Sequence, residues 1–465
     1  MSARVMKHNF IPGRTAGSER AFQDAKEVIP GGVTANIKYF SPYPLVMEKG
    51  KGSRLLDVDG NEYIDYLLCY GALILGHGHS RVAEAVISQM NSSGTFIFGS
   101  PHQLEVEMAR KLITLFPGIE MVRYTNSGLE ATLLSIRLAE AYTGKRKVAK
   151  FEGHYHGGYD QMLVSVNPDA GKAGQASNPN PVPDSKGISD YHLEHTIVLP
   201  FNDLEATEKI LRKHKDELSS VILEPIQGGF IPAEEKFMKG LRKITEELGI
   251  LLIFDEVKTG FRLTVGGAQT IYNIKPDITA LGKVLGGGFP IGAVGGKKEI
   301  MAIMSPDRGK DILTAGAKND VKDDVMFHSG TYNGHPIVLA AGMATIEVLE
   351  EPGTMEELLR KSNNLRKELE KLYNKYNLSM KTIGMGSIFN LVFTDGPVKN
   401  YRDMAKADLE LRKKIDYELL HRGIYTKPMN RYSMSVVHSR GDLQFTIDAH
   451  EKAIKKVIQK VRGLT

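Results

Sequence analysis

Short apolar runs alternate with longer amphipathic stretches from residue 121 onward. The runs at 121–125, 147–151, 195–199, 220–223, 251–254 and 278–280 read as strands. Between them, a segment with Leu129, Leu133 and Ile136 on one face and segments 203–215 and 236–247 carry helical spacing. Strand and helix in alternation predict an α/β fold with a mostly parallel sheet covered on both faces.

The ends of the chain are patterned differently. Residues 17–29 predict a short helix stopped by Pro30-Gly31-Gly32. The runs 45–48, 54–57 and 63–67, separated by Gly50, Gly52 and Asp59-Gly60, predict a small antiparallel meander. Segment 71–80 reads as loop, and 81–92 and 102–115 as helices. From residue 326 come helices at 355–376, 403–421 and 446–462, with a strand–turn–strand near 381–394. The expected organisation is a large domain over 76–325 and a small α+β domain built from both chain ends, 1–75 and 326–465. Segment 167–190 has no periodicity and is rich in Pro, Asn, Ser and Gly, which suggests a lid over a pocket.

Composition changes this picture little. The chain has 465 residues, enough for more than one domain, and a net charge of +5 that points to neither nucleic acid nor membrane. A single cysteine, Cys69, forbids an internal disulfide and suggests a reducing, cytoplasmic setting. No apolar stretch approaches the ~20 residues of a membrane span, and the N-terminus lacks the apolar core of a secretion signal.

Candidate chemistry gathers where strands end. One apolar run ends in Asp255-Glu256 and another in Gly282-Lys283. Ligands of such folds lie off the carboxyl ends of the strands, and a buried charge there needs a partner. Pyridoxal phosphate would supply one: it needs an amine for its aldehyde and an acid for its ring nitrogen. Lys283 and Asp255 fit those roles, and Val257 shares the face of Asp255 and can pack on the ring. An ordinary strand-end acid and a surface lysine remain the alternative. Asn126-Ser127-Gly128, between a strand and a helix, suits a phosphate at a helix N-terminus, or a plain helix cap. In His154-Tyr155-His156-Gly157-Gly158, Tyr155 suits stacking on the ring with His156 in the hydrogen-bond network. An aromatic loop is the alternative. A metal site is not expected, because no third ligand has suitable spacing. Glu224 also sits at a strand end.

Taken together, NSGLEAT, FEGHYHGG, ILEPI, LIFDEVKTGFR, ALGKVLGGGFPIGAVGG and HSGTYNGHP resemble the class III aminotransferases of fold type I. The subgroup they most resemble contains glutamate-1-semialdehyde 2,1-aminomutase. The resemblance implies Lys283 as the lysine bonded to the cofactor and as proton shuttle, with Asp255 at the ring nitrogen. It places Ser127 and Gly128 in the phosphate loop, with Leu129 where the family usually has threonine, and Tyr155 on the ring. It implies that Thr331 reaches the phosphate of a neighbouring subunit, hence a homodimer with a shared site. Lys38 stands where the aminomutases usually carry a carboxylate-binding arginine, and Arg431 could supply a bidentate fork; solvated surface charges are the alternative for both. The expectation is an aminotransferase moving an amino group between an amino acid, of β- or aryl type, and a keto acid. The aminomutase, which keeps the amino group on one substrate, is the alternative. A racemase, a decarboxylase or a non-catalytic cofactor-binding regulator ranks behind both.

Overall fold

The computed structural model describes residues 14–308 and 325–461. Its centre is a seven-stranded sheet. The strands are β1 (Met121–Thr125), β2 (Lys147–Phe151), β3 (Thr196–Leu199), β4 (Leu218–Leu223), β5 (Leu251–Asp255), β6 (Ile278–Gly282) and β7 (Gly292–Gly296). They lie in the order β1-β7-β6-β5-β4-β2-β3, and only β7 runs antiparallel to its neighbours.

The central strands β4, β5 and β6 are buried on both faces, so their apolar side chains fill both sides of the sheet rather than alternating with exposed polar ones. Ile222, Ile253 and Ile278 face helix α1 (Gly128–Thr143), meeting Leu134 and Leu138. The alternate positions Val221, Leu223, Leu252 and Phe254 pack against Phe237, Leu241 and Ile244 of the helix Glu235–Leu248.

Strand β7 escaped the sequence reading. Its residues, GAVGG, have little strand propensity. Close packing explains the composition: a Cβ on Gly292 would lie 2.1 Å from the Ser127 carbonyl oxygen. The strand that joins β1 to β6 therefore admits almost no side chain where it passes the start of α1.

The chain ends fold together. The meander Met47–Lys51, Arg54–Asp57, Glu62–Asp65 gains a fourth strand, Ile424–Tyr425, parallel to its third. A second small sheet joins Met380–Met385, Ile388–Phe393 and Tyr432–Ser433. Arg262, fully buried, ties these parts to the centre by donating to the carbonyls of Gly71 (2.9 and 2.6 Å) and Met434 (2.5 Å).

Three local expectations need correction. The predicted strand over 63–67 ends at Asp65, and Leu68, Cys69, Tyr70 and Gly71 follow with φ of 46, 51, 57 and 88°, one left-handed turn. The predicted helix 403–421 is two, Tyr401–Met404 and Leu409–Leu420, because Asp408 caps the second by accepting from the Leu411 amide (2.8 Å). The final helix begins at Arg440, not 446, where Ser439 and Asp442 cap each other; residue 462 lies outside the described residues. Segment 167–190, the expected lid, holds the hairpin Gly174–Gln175/Asn178–Pro179, and Arg402 donates to the carbonyls of Ala173 and Gly174. Residues 1–13 of the N-terminal unit lie outside the described residues as well. Among those described, no helix is long and apolar enough to cross a membrane.

The crowding at β7 predicts that Gly292→Ala destabilises the fold by about 1–3 kcal/mol, the usual cost of overpacking. A urea denaturation midpoint unchanged from the parent would contradict this account of the strand.

Candidate active site

Strands β5 and β6 lie side by side with Asp255 opposite Ala280, so Asp255 and Lys283 project from neighbouring strand ends. Between them is a cavity of about 150 Å³, lined among others by Gly128, Leu129, Tyr155, His156, Val257, Asp255 and Lys283. The strand-end acids divide by alternation along the strand. Asp255 meets the cavity. Glu256 turns away and accepts from Thr259 Oγ1 (2.7 Å) and the amides of Ala268 (2.8 Å) and Gln269 (3.0 Å). Burial raises the Glu256 carboxyl to about 7 despite these bonds.

Asp255 is held on both oxygens. Oδ1 accepts from the Val257 amide at 3.0 Å, and Oδ2 lies 2.7 Å from His156 Nδ1. His156 is buried, and its Nε2 has no partner among the described residues. Lys283 has φ 48°, a left-handed conformation that costs a non-glycine residue about 1 kcal/mol or more. Desolvation, reinforced by the nearby cations Lys258 and Arg431, lowers its amine to about 7, against the opposite pull of Asp255.

The start of α1 closes another side. Ser127 Oγ accepts from the Glu130 amide (3.1 Å), and Glu130 Oε2 accepts from the amide of Asn126 just before that cap (2.7 Å). Ser127 thus serves as a helix cap. Gly128 and Leu129, whose first-turn amides a helix leaves without internal acceptors, line the cavity. Gly128 is required there, since a Cβ would lie 2.5 Å from Val257 Cγ1. These groups fit pyridoxal phosphate: an amine for the aldehyde, a fixed carboxylate for the ring nitrogen, a branched side chain and an aromatic for the ring, and a helix N-terminus for the phosphate.

The predicted residues fall into three places. Lys283, Asp255, Gly128, Leu129, Tyr155, His156 and Val257 share the cavity, with Ser127 capping the helix beside it. Glu224 stands behind it, ion-paired to Lys258 and accepting from the amides of Tyr155 (3.0 Å) and Gly228 (3.2 Å). Arg431 Nη2 donates to the Tyr70 carbonyl (3.2 Å), while its buried Nε has no acceptor among the described residues. Lys38 and Thr331 are not brought to the cavity of their own chain. Lys38 is exposed with its amine on Thr34 Oγ1 (2.7 Å), and Thr331 is exposed in a turn. Sequence reasoning passed over Thr132, Gly157 and Lys258, which also line the cavity. A lysine three residues after a buried strand-end acid was the signal available for Lys258.

The seven-stranded, mostly parallel sheet with this site at its strand ends is the architecture of the fold type I pyridoxal-phosphate transferases. The profile of the family described as aminotransferase class-III matches residues 38–461. A glutamate-1-semialdehyde 2,1-aminomutase of Natranaerobius thermophilus is 41% identical over 453 residues, covering 96% of this chain and 100% of the relative. Among solved structures, an omega-transaminase of Sphaerobacter thermophilus superposes with TM-score 0.88 at 34% identity, covering 96% of this chain and 98% of that one. A β-phenylalanine aminotransferase of Variovorax paradoxus does so with TM-score 0.81 at 31% identity, covering 95% and 94%. The chain belongs to the class-III aminotransferases.

The lowered amine makes a direct prediction for the cofactor-free protein. Labelling of Lys283 by an amine-directed reagent should rise through about pH 7, because only the neutral amine reacts. Exposed lysines should follow near pH 10. A Lys283 profile that tracks the exposed lysines would contradict the electrostatics described for the cavity.

Proposed function

We propose that this enzyme moves the amino group of a substrate whose carboxylate is held by Arg431. The observation that carries the reading is the unsatisfied buried Nε of Arg431 in a guanidinium close enough to Lys283 to depress its amine. Among the described residues it has no ion pair, and a buried cation without an anion is costly. A substrate carboxylate would supply the missing partner through a bidentate pair.

The family's cofactor is pyridoxal 5′-phosphate. When bound, it supplies an aldehyde that captures the substrate amine and a ring that accepts the electrons released as the adjacent proton leaves. Each residue then has a role that follows from its place. Asp255, fixed by Val257 and His156, would keep the ring nitrogen protonated. The amides at the start of α1 would hold the phosphate. Tyr155 and Val257 would bracket the ring. Lys283 Nζ, its pKa lowered to about 7, would take a proton from one substrate carbon and return it at another position. The exposed Thr331 would serve the neighbouring subunit of a homodimer rather than its own. A cytoplasmic setting belongs to the same reading, supported by the single cysteine.

Two modes use these residues. Intramolecular transfer on glutamate-1-semialdehyde is favoured by the 41% identity to an aminomutase over its full length. That similarity weighs against the sequence-based preference for a separate keto acid. Transfer to a keto acid is the second reading, favoured by the omega-transaminase and β-phenylalanine aminotransferase likenesses.

Turnover of glutamate-1-semialdehyde by the loaded enzyme without keto acid is expected in the first mode. A strict requirement for 2-oxoglutarate or pyruvate, with amino-acid donors, would establish the second instead. In either mode Arg431→Ala should raise KM for carboxylated substrates about ten- to a hundredfold, the loss of a charged hydrogen-bonded contact. An unchanged KM would remove Arg431 from substrate binding.

A further inference from the structure

The cavity wall holds a second ammonium that the roles above leave unused. Lys258, three residues beyond Asp255, lines the cavity together with Lys283. Its side chain is only 12% exposed and is ion-paired to Glu224, which is 2% exposed. Lys258 Nζ also lies 5.5 Å from the centre of the Tyr155 ring. Glu224 in turn accepts from the Tyr155 amide (3.0 Å), and its own amide donates to His154 Nδ1 (3.0 Å). Lysine, carboxylate and aromatic thus form one closed unit.

A buried ion pair of this kind is seldom the most stable filling for its volume; apolar residues of similar size often serve as well or better. Its place in the cavity wall therefore calls for a functional account. We propose that Lys258 is a positioning residue: clamped between the Glu224 carboxylate and the Tyr155 ring, it fixes the stacking aromatic and sets its ion-paired ammonium beside the Lys283 amine. The proposal rests on the functional reading above for what the amine does, but its geometry does not depend on the substrate.

Two consequences follow. Protonating Lys283 would place a second ammonium in a wall that already holds Lys258, with the Arg431 guanidinium acting in the same sense, so the neutral amine is favoured. Glu224, which burial alone would drive toward its neutral form, is kept ionised chiefly by Lys258 and can go on accepting from the Tyr155 amide. The other titratable groups around the amine are Asp255 on β5, His154, Tyr155 and His156 after β2, and Cys69 on the left-handed turn. Only Asp255 and Glu224 among the surrounding groups pull the amine toward protonation in opposition to Lys258 and Arg431.

The test compares Lys258→Met, Lys258→Arg and the double variant Lys258→Met/Glu224→Gln with the parent. The primary readout is the pH midpoint of Lys283 labelling in the cofactor-free protein, read by peptide mass spectrometry. The second is the pH titration of the visible absorbance after loading with pyridoxal phosphate. Lys258→Met should raise the labelling midpoint by about one unit, and Lys258→Arg, which keeps the charge, should leave it in place. The double variant leaves no unpaired buried carboxylate. It serves if the single variant fails to fold, and it should show a smaller shift in the same direction. A folded Lys258→Met protein, or a folded double variant, with the parental midpoint would overturn the proposal and leave the pair a purely structural one. Failure of the parent to bind pyridoxal phosphate would instead strike the functional reading, while the cofactor-free labelling would still decide the role of Lys258.

Discussion

The pairing of a carboxylate and an amine at the ends of two adjacent parallel strands is the constraint from which the rest follows. Asp255 and Lys283 are brought together by the register of β5 on β6, not by proximity in sequence. Each is expensive to desolvate, and neither bonds directly to the other among the described residues. The fold meets this by fixing Asp255 with His156 and the Val257 amide, and by leaving Lys283 an amine that sheds its proton near neutrality. What remains between them is a slot with an anion on one side and a nucleophile on the other.

The surrounding charges extend the same logic. Lys258, Lys283 and Arg431 approach the cavity with Asp255 and Glu224 as the acids that act on them. Glu224 is committed to Lys258, and Asp255 to His156 and a backbone amide. Arg431 is left without a carboxylate among the described residues. The free amides at the start of α1 add further positive potential. A ligand set with a phosphate at one end and a carboxylate at the other would complete the balance. That combination is the cofactor of this family with a carboxylated amine beside it.

Much of this was legible in the chain. Strands buried on both faces announce themselves as apolar runs, and their charged ends mark where ligands lie. That was enough to pair Asp255 with Lys283 and to place Gly128, Tyr155, His156 and Val257 near them. Features fixed by distant contacts were not legible. β7 has a glycine composition because its neighbours leave no room, which nothing local reveals. The left-handed turn Leu68–Gly71 is held by bonds from Arg262 and Arg431, both remote in sequence. Lys258 reads locally as a surface charge until Glu224 is seen opposite it. Lys38 reads locally like Arg431, yet only the arginine is drawn inward toward the cavity.

Everything at the site turns on one amine, Lys283, carrying the cofactor. Loading the protein with pyridoxal phosphate, reducing with borohydride and mapping the modified peptide tests it directly. A single stable adduct on Lys283, abolished by Lys283→Ala, is expected. An adduct on Lys258 or another lysine, or a protein that takes up no cofactor, would contradict it.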